Sequence, residues 1–483
     1  MIEQLTYFFL AVLSTYFLIA IFSYSSTISP AGFFAVKNRT RALFSIIFGG
    51  VTLGTGFAYQ TTSGATFGLG AFVSPLGVLA GYFALGSLEK FISRFADSAG
   101  GPKDEHRQLN FSRFFDRSFN FSKIIIFYNI ARVVVFVALI AFELWMSATY
   151  LAAVFGLGSR GYDMYFIALL LGGLAIAYTS IGGFPAALKT DIFQGVSIII
   201  LLIILFYFGV ESYSPQDSTG ILGSVYSLTP SLSWTSAAGL AAIFLTALST
   251  QLYNIINSVS TRTRQSSENS LTFWISGLCQ AILISLIVFL GLIFSSGGNV
   301  GMDGFFREIL DGNELYRIIV GAIVLIGLTS IVFTTIDSAI VALSQLTGDI
   351  IGLDSSSDKP AIWPRVLCVA IGFISTPLAL ALLYLKTGVI ETLFTILTPL
   401  GATATYLSAS IFFNLSRGKV KGSGLYDIFA MTYIVLIFVL SSHDLIGKDG
   451  SGAPVFTILA FVPAVIVLLI GLFSYKKAIG ESG

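Results

Sequence analysis

Thirteen stretches of about 20 apolar residues follow one another along the chain, and no other feature of the sequence limits its fold as strongly. A run of that length crosses the hydrocarbon core of a bilayer as an α-helix, in which the backbone N–H and C=O groups bond internally. The sequence therefore predicts an all-α polytopic membrane protein that forms a single membrane domain over residues 1–483. The predicted spans are 4–26, 43–70, 72–95, 123–156, 163–183, 185–211, 237–262, 271–297, 314–346, 362–385, 389–415, 424–441 and 455–476.

The composition excludes a soluble protein. Only 11% of the residues are charged, against about 25% in a typical soluble domain. The net charge is +1 and the sequence contains no basic tract, so we expect no binding to nucleic acid. Cys279 and Cys368 lie in apolar runs without a CxxC spacing, which argues against a disulfide framework or a zinc site.

The distribution of basic residues predicts the orientation. Most of the 26 Lys and Arg residues fall in loops on one side of the membrane, whereas the loop 211–236 contains none. Because cytoplasmic loops carry the excess of positive charge, we expect a multi-pass protein of the plasma (inner) membrane. Its N-terminus would lie outside and its C-terminus in the cytoplasm.

The number of spans predicts an internal repeat. If the span 4–26 is peripheral, the next ten spans divide into two groups of five, at 43–211 and 237–415. An odd number of spans in each group gives the two groups opposite orientations in the membrane, which is the arrangement of an inverted repeat. The spans 424–441 and 455–476 are then peripheral as well.

The first span of each group is unusually polar. Residues 48–70 contain seven glycines and seven Thr, Ser or Gln residues, and residues 246–260 read TALSTQLYNIINSVS. Backbone of this composition is tolerated at membrane depth only where it lines a hydrated cavity inside the protein. In secondary transporters such discontinuous helices hold the substrate and the coupling ion. We therefore predict that both helices are interrupted and that residues 48–70 form the centre of a binding site.

Three motifs resemble those of one family of membrane proteins. They are YTSIGGFPAALKTDIFQG at 178–195, TTIDSAIVALSQLTGDI at 334–350 and NFSRFFDRSF at 110–119. With the thirteen-span layout, they make the chain similar to the sodium/solute symporter family over nearly its whole length. The resemblance implies a leucine-transporter-like fold with a 5+5 inverted-repeat core and discontinuous first and sixth core helices. It also implies a Na⁺ ion between the first and eighth core helices, with substrate beside it.

The resemblance implies a particular set of sodium ligands. The carbonyl of Ile331 and the hydroxyls of Thr334 and Thr335 have the i, i+3, i+4 spacing that puts oxygens on one helix face. Matching the Ser-Gly pair of the broken helix to the family motif adds the carbonyls of Tyr59 and Thr62. In the alternative interpretation, the two threonine hydroxyls only bond the carbonyls of their own helix.

A second sodium site is implied at Asp191, Asp337 and Ser338, because some family members use the equivalent positions. A charge inside the membrane is costly and needs a reason. The alternative is structural: Asp191 would order the cytoplasmic ends of helices, and Asp337 would pair with a backbone group or a cation.

Glu143 is the most informative candidate for contact with the substrate. It lies near the middle of the apolar stretch FVALIAFELWMSATYL, and acidic residues at this depth mark functional sites by default. A carboxylate there favours a substrate with an ammonium group, or takes up a proton as a coupling element. Alternatively, a neighbouring hydroxyl satisfies it.

The remaining substrate candidates are polar residues of the two interrupted helices. Helical spacing places several of them on shared faces, although residues of these types also serve as packing contacts between membrane helices. They are Thr61, Ser63, Thr66, Gln251, Tyr253, Asn254 and Asn257.

These observations favour a Na⁺-coupled secondary active symporter that imports a small polar organic solute by alternating access. The solute could be an amino acid, a sugar, a sialic acid, a carboxylate or an amine. An H⁺-coupled symporter of the same fold and a transporter-like sensor are the alternatives, although we expect no signalling module because the last predicted span ends shortly before Gly483. We expect no enzyme activity, since the sequence has no GxSxG, HExxH or Walker pattern. Na⁺ as coupling ion, the solute and the bilayer are the only expected partners, and no other cofactor is expected.

Overall fold

A computed structural model of the chain describes residues 2–34, 39–98, 122–155, 162–211, 234–253, 266–296, 314–353 and 359–385, with scattered positions at 306, 310 and between 402 and 466. Eleven α-helices occupy these ranges. They are α1 (Ile2–Ser23), α2 (Pro30–Phe33), α3 (Arg39–Gly49), α4 (Tyr59–Phe67), α5 (Val73–Ser98), α6 (Ser122–Val154), α7 (Tyr162–Glu211), α8 (Trp234–Tyr253), α9 (Ser266–Ser296), α10 (Glu314–Ile350) and α11 (Ile362–Leu385).

The helices follow the predicted spans closely. Within the described ranges, seven helical stretches are long and apolar enough to cross a membrane. The predicted span 362–385 and the observed α11 have the same bounds. Of the spans predicted after residue 389, only scattered positions are described.

Helix α7 is 50 residues long and contains two predicted spans that meet at a kink. A straight helix of that length would measure roughly 75 Å, far more than the bilayer core. The chain turns instead at Gly183, whose φ of 54° is accessible mainly to glycine. A Cβ at Gly183 would also lie 2.8 Å from the carbonyl oxygen of Phe33, so the turn needs glycine for space as well as for conformation.

The polar segment 48–70 is interrupted at two places. Helix α3 ends at Gly49, and a single wide π-helical turn, Leu53–Ala58, precedes α4. The residues between them, 50–52, are not helical. The second interruption follows α4 at Gly68, which has a φ of 58°. The prediction that this segment is discontinuous is therefore confirmed, and its main break lies at residues 50–52.

The backbones of α4 and α9 touch where they cross. A Cβ at Gly64 would lie 2.2 Å from the carbonyl oxygen of Val288, and a Cβ at Gly291 would lie 2.0 Å from the carbonyl oxygen of Thr61. Small residues allow such close approach between membrane helices, where packing rather than hydrophobicity drives association. The crossing fixes the position of the half-helix that follows the main break.

Helix α1 packs against α7 and α10, and an arginine joins its end to two other helices. The Arg365 guanidinium of α11 donates to the carbonyl oxygens of Ser180 and Ile181 at 2.6 and 3.0 Å, and to that of Thr27 at 2.8 Å. It also lies over the ring of Tyr24, at 4.6 Å from the centroid. The first helix is therefore tied to the turn of α7 by charge-assisted hydrogen bonds.

The α4–α9 crossing gives a test of the packing. We expect Gly291→Ala to lower the free energy of unfolding by about 1–3 kcal/mol, because the new methyl group would meet backbone that cannot move aside. Gly173→Ala is the matched control, since a Cβ there meets nothing within 4 Å. Thermal unfolding of the detergent-solubilised protein measures both. Equal midpoints for the two variants would show that the crossing is looser than the structure has it.

Candidate cation and substrate site

Three oxygens of α10 converge on one face of that helix. The Thr334 hydroxyl lies 3.0 Å from the carbonyl oxygen of Ile331, and the Thr335 hydroxyl lies 3.5 Å from the same oxygen. The Thr335 hydroxyl also lies 3.5 Å from the carbonyl oxygen of Gly49, the last residue of α3. All three residues of α10 are buried. Thr335 therefore joins this cluster to the main-chain oxygen that precedes the main break. Thr334 donates to a carbonyl of its own helix, as in the alternative interpretation.

Tyr59 and Thr62 lie inside α4, beyond the break. Carbonyls in the interior of a helix are engaged in i to i+4 bonds, so the freed main-chain oxygen that the structure brings to Thr335 is that of Gly49. The threonine hydroxyls of this segment bond within their own helix. Thr61 donates to the carbonyl oxygen of Phe57 at 2.8 Å, and Thr62 donates to that of Ala58 at 2.7 Å.

Two carboxylates lie buried next to each other between α7 and α10. Asp191 and Asp337 are both fully buried, and each carboxylate lies in the electrostatic field of the other. Asp337 Oδ1 accepts a bond from the backbone N–H of Ser338 at 2.5 Å. Within the described residues, no group makes a hydrogen bond of good geometry with the other three carboxylate oxygens, the Ser338 hydroxyl or the amide of Gln194. Ser45 lies close to Asp191, and Tyr178 lies close to Asp337. Buried polar atoms without well-formed hydrogen bonds are rare in native structures, so this group is a candidate site for a cation, a proton or a water molecule.

Aromatic residues enclose this acidic pair. The Tyr16 hydroxyl of α1 lies 3.3 Å from the Ser330 hydroxyl of α10, and the Tyr16 ring stacks on Phe333 at 5.0 Å between centroids. Tyr178 bonds Thr190 at 2.9 Å through its hydroxyl. Nothing in the sequence singles out Tyr16, because its hydrogen-bond partner lies 314 residues away in the chain and no local pattern signals such a contact.

Glu143 reaches the main break from α6. It is 1% exposed, and its Oε2 atom accepts a hydrogen bond from the backbone N–H of Gly54 at 2.6 Å. A Cβ at Gly54 would lie 2.6 Å from the ring of Phe142 and 3.1 Å from the Glu143 carboxylate. Position 54 therefore needs glycine, chiefly because the Phe142 ring occupies the space of a side chain there. A neighbouring hydroxyl was the alternative partner predicted for Glu143, and the main-chain N–H of Gly54 is a partner that the structure shows.

The other predicted substrate residues lie in α4, in α8 or outside the described residues. Thr61 and Ser63 are buried in α4, and Thr66 lies in the last turn of the same helix. Gln251 is buried near the end of α8, where a Cβ at Gly81 of α5 would lie 2.9 Å from its Cβ. Tyr253 is the last residue of α8. Asn254 and Asn257 lie outside the described residues, as does the predicted interruption that contains them.

Three solved structures are similar to this chain over nearly its whole length. A Na⁺-coupled sialic acid symporter, in a substrate-bound outward-open state, matches with a TM-score of 0.66 and 12% identity, covering 97% of this chain and 98% of that one. MhsT in complex with L-phenylalanine matches with a TM-score of 0.57 and 13% identity, covering 91% and 99%. A manganese transporter from Eremococcus coleocola, in complex with an aromatic bis-isothiourea substituted compound, matches with a TM-score of 0.52 and 12% identity, covering 92% and 95%. No family model and no curated protein matches the sequence.

These similarities define the class of the fold. The chain is a multi-pass membrane protein with the leucine-transporter fold, which confirms the fold class predicted from the sequence. The structures that share this fold are transporters and not enzymes. At 12–13% identity, what the chain shares with them is the architecture of its helices.

The acidic pair gives a test that needs no substrate. We expect the thermal midpoint of the wild-type protein to rise when NaCl replaces choline chloride, because a cation that occupies the pair stabilises the folded state by mass action. Asp191→Asn and Asp337→Asn should respond less than the wild type, because they lose the part of the response that comes from the pair. Asp163→Asn is the control, because Asp163 is exposed at the start of α7. If all four proteins respond to Na⁺ alike, the pair does not bind it.

Proposed function

We propose that the chain is a Na⁺-coupled secondary active symporter that imports a small polar organic solute by alternating access. One observation carries the proposal: the Thr335 hydroxyl of α10 lies 3.5 Å from the carbonyl oxygen of Gly49, where a membrane helix is interrupted. The same hydroxyl lies 3.5 Å from the Ile331 carbonyl oxygen, to which Thr334 also donates at 3.0 Å. The similarity of the fold to a Na⁺-coupled symporter supports it.

The chemistry of this oxygen cluster suits Na⁺. A hard cation prefers oxygen ligands, and carbonyls freed at a helix break supply them at membrane depth. The cluster draws on two separate helices, so an ion bound there would hold α3 and α10 together. Its arrival or departure would then change their relative position. The carbonyls of Tyr59 and Thr62 would join the ion only if the start of α4 unwound, and we propose them as ligands of that state.

We propose a second sodium site at Asp191, Asp337 and Ser338. Its support is the group of buried oxygens that have no hydrogen bond of good geometry in the described part of the chain. The amide oxygen of Gln194, three residues after Asp191, adds a further ligand of the right kind. The same acidic pair favours the second candidate function, an H⁺-coupled symporter, because a buried carboxylate without a partner can bind a proton instead of a metal ion.

The proposed solute site lies beside the first sodium site, between α4, α6 and the end of α8. Its proposed residues are Thr61, Ser63, Thr66, Glu143, Gln251, Tyr253, Asn254 and Asn257. With the N-terminus outside and the C-terminus in the cytoplasm, Na⁺ entry drives uptake, and each ion contributes about 2.3 kcal/mol per 100 mV of membrane potential. The inverted repeats at 43–211 and 237–415 would move against each other around this site.

Substitution of Thr334 and Thr335 distinguishes a sodium site from hydroxyls that only bond the carbonyls of their own helix. We expect Thr334→Ala combined with Thr335→Ala to weaken apparent Na⁺ affinity about tenfold, which corresponds to a loss of about 1.4 kcal/mol. Equilibrium binding of radioactive Na⁺ to the purified protein measures it. Thr149→Ala is the matched control, because Thr149 donates to the carbonyl oxygen of Trp145 four residues earlier at 3.0 Å, a bond within its own helix. An affinity unchanged from the wild type in the double variant would contradict the proposed site.

A further inference from the structure

The backbone donors at the start of the half-helix after the main break are already bonded within the protein. The N–H of Gly54 donates to the Glu143 carboxylate at 2.6 Å. The N–H of Gly56 donates to the Thr52 hydroxyl at 2.7 Å, and the N–H of Phe57 donates to the Thr52 carbonyl oxygen at 2.7 Å. The protein therefore supplies acceptors to three of the N–H groups at this end.

The start of a helix is ordinarily a site for anions. Its N–H groups lack partners within the helix, and the aligned peptide dipoles give this end a partial positive charge. In transporters with discontinuous helices, such an end points at the anionic group of the substrate. A substrate carboxylate would therefore find its natural partner at this end of the segment 53–67.

In this chain the position is filled by a carboxylate of the protein itself. Glu143 comes from a different helix, is 1% exposed, and bonds the N–H of Gly54 at 2.6 Å. A Cβ at position 54 would lie 3.1 Å from its carboxylate and 2.6 Å from the ring of the neighbouring Phe142. The charge of Glu143 complements the helix end, as the charge of a bound anion would. A second carboxylate at the same place would meet like charge in a medium of low dielectric constant, where repulsion is strong.

We infer that Glu143 is a built-in anion that occupies the substrate-carboxylate position of the broken helix, so that the solute presents a cationic or neutral group there and not an anionic one. The inference rests on the proposed function, since it names the class of solute for the same site. It makes Glu143 a positioning residue that acts through Gly54, and it makes the Glu143–Gly54 contact a determinant of charge selectivity.

The test asks whether an added carboxylate can replace the side chain. We would compare the wild type, Glu143→Ala and Glu143→Gln, with Asp163→Ala as an exposed control, in detergent at one fixed Na⁺ concentration. Each protein is measured in sodium chloride, sodium formate and sodium acetate. The readouts are the thermal midpoint and the hydrogen exchange of a peptide that contains residues 53–57.

We expect Glu143→Ala to unfold at a lower temperature and to exchange this peptide several-fold faster than the wild type. Formate or acetate should reverse at least half of both changes in Glu143→Ala, and should change neither readout in the wild type or the control. Absence of rescue, or an equal response of all the proteins to acetate, would overturn the inference.

Glu143→Gln keeps the test decisive if the alanine variant does not fold. Its amide oxygen can still accept from Gly54 but carries no charge, and charge-assisted bonds are roughly twice as strong as neutral ones. We expect faster exchange of the peptide 53–57 in this variant, and exchange equal to that of the wild type would contradict the inference. Because Na⁺ is constant and no transport is measured, failure here leaves the sodium-coupling proposal standing. If the wild type did not bind Na⁺, the sodium-coupling proposal would be wrong, but the expected thermal midpoints and hydrogen exchange would stay the same.

Discussion

The structure depends on one constraint: polar backbone groups exposed by a helix break inside the bilayer need partners, because lipid offers none. Around the break at residues 50–52, the partners are Thr52 itself, Glu143 of α6 and Thr335 of α10. Thr52 accepts two N–H groups of the following turn, and Glu143 of α6 accepts a third. The carbonyl of Gly49 points to Thr335 of α10. The break is therefore held in a defined geometry by two other helices, as a binding site requires.

One side of the first helix packs on the helices that carry the acidic pair. Tyr16 of α1 is buried against Ser330 and Phe333 of α10, on the same helix as the acidic pair's Asp337. Arg365 ties the end of α1 to the turn of α7, the helix that carries Asp191. Through these residues, one side of α1 lies against the two helices that carry the buried carboxylates.

Much of the fold could be predicted because apolar length decides which segments span a membrane. The bounds of α11 and the interruption of the segment 48–70 follow from that rule and from the unusual polarity of the segment. The position of the main break could not be predicted, because Thr61 and Thr62 satisfy their hydroxyls on their own helix and so do not mark it. The partners of Glu143 and Tyr16 depend on contacts between residues far apart in the chain, which local patterns do not encode.

The most direct measurement of the central claim is the position of a bound monovalent cation. Thallium(I) can replace Na⁺ in crystals and scatters anomalously, so it locates such a site by its own signal. The account predicts an anomalous peak between the carbonyl oxygen of Gly49 and the hydroxyl of Thr335, with Thr334 and the Ile331 carbonyl beside it, and its disappearance when excess Na⁺ is added. Peaks found only elsewhere, with the break at residues 50–52 intact and empty, would contradict it.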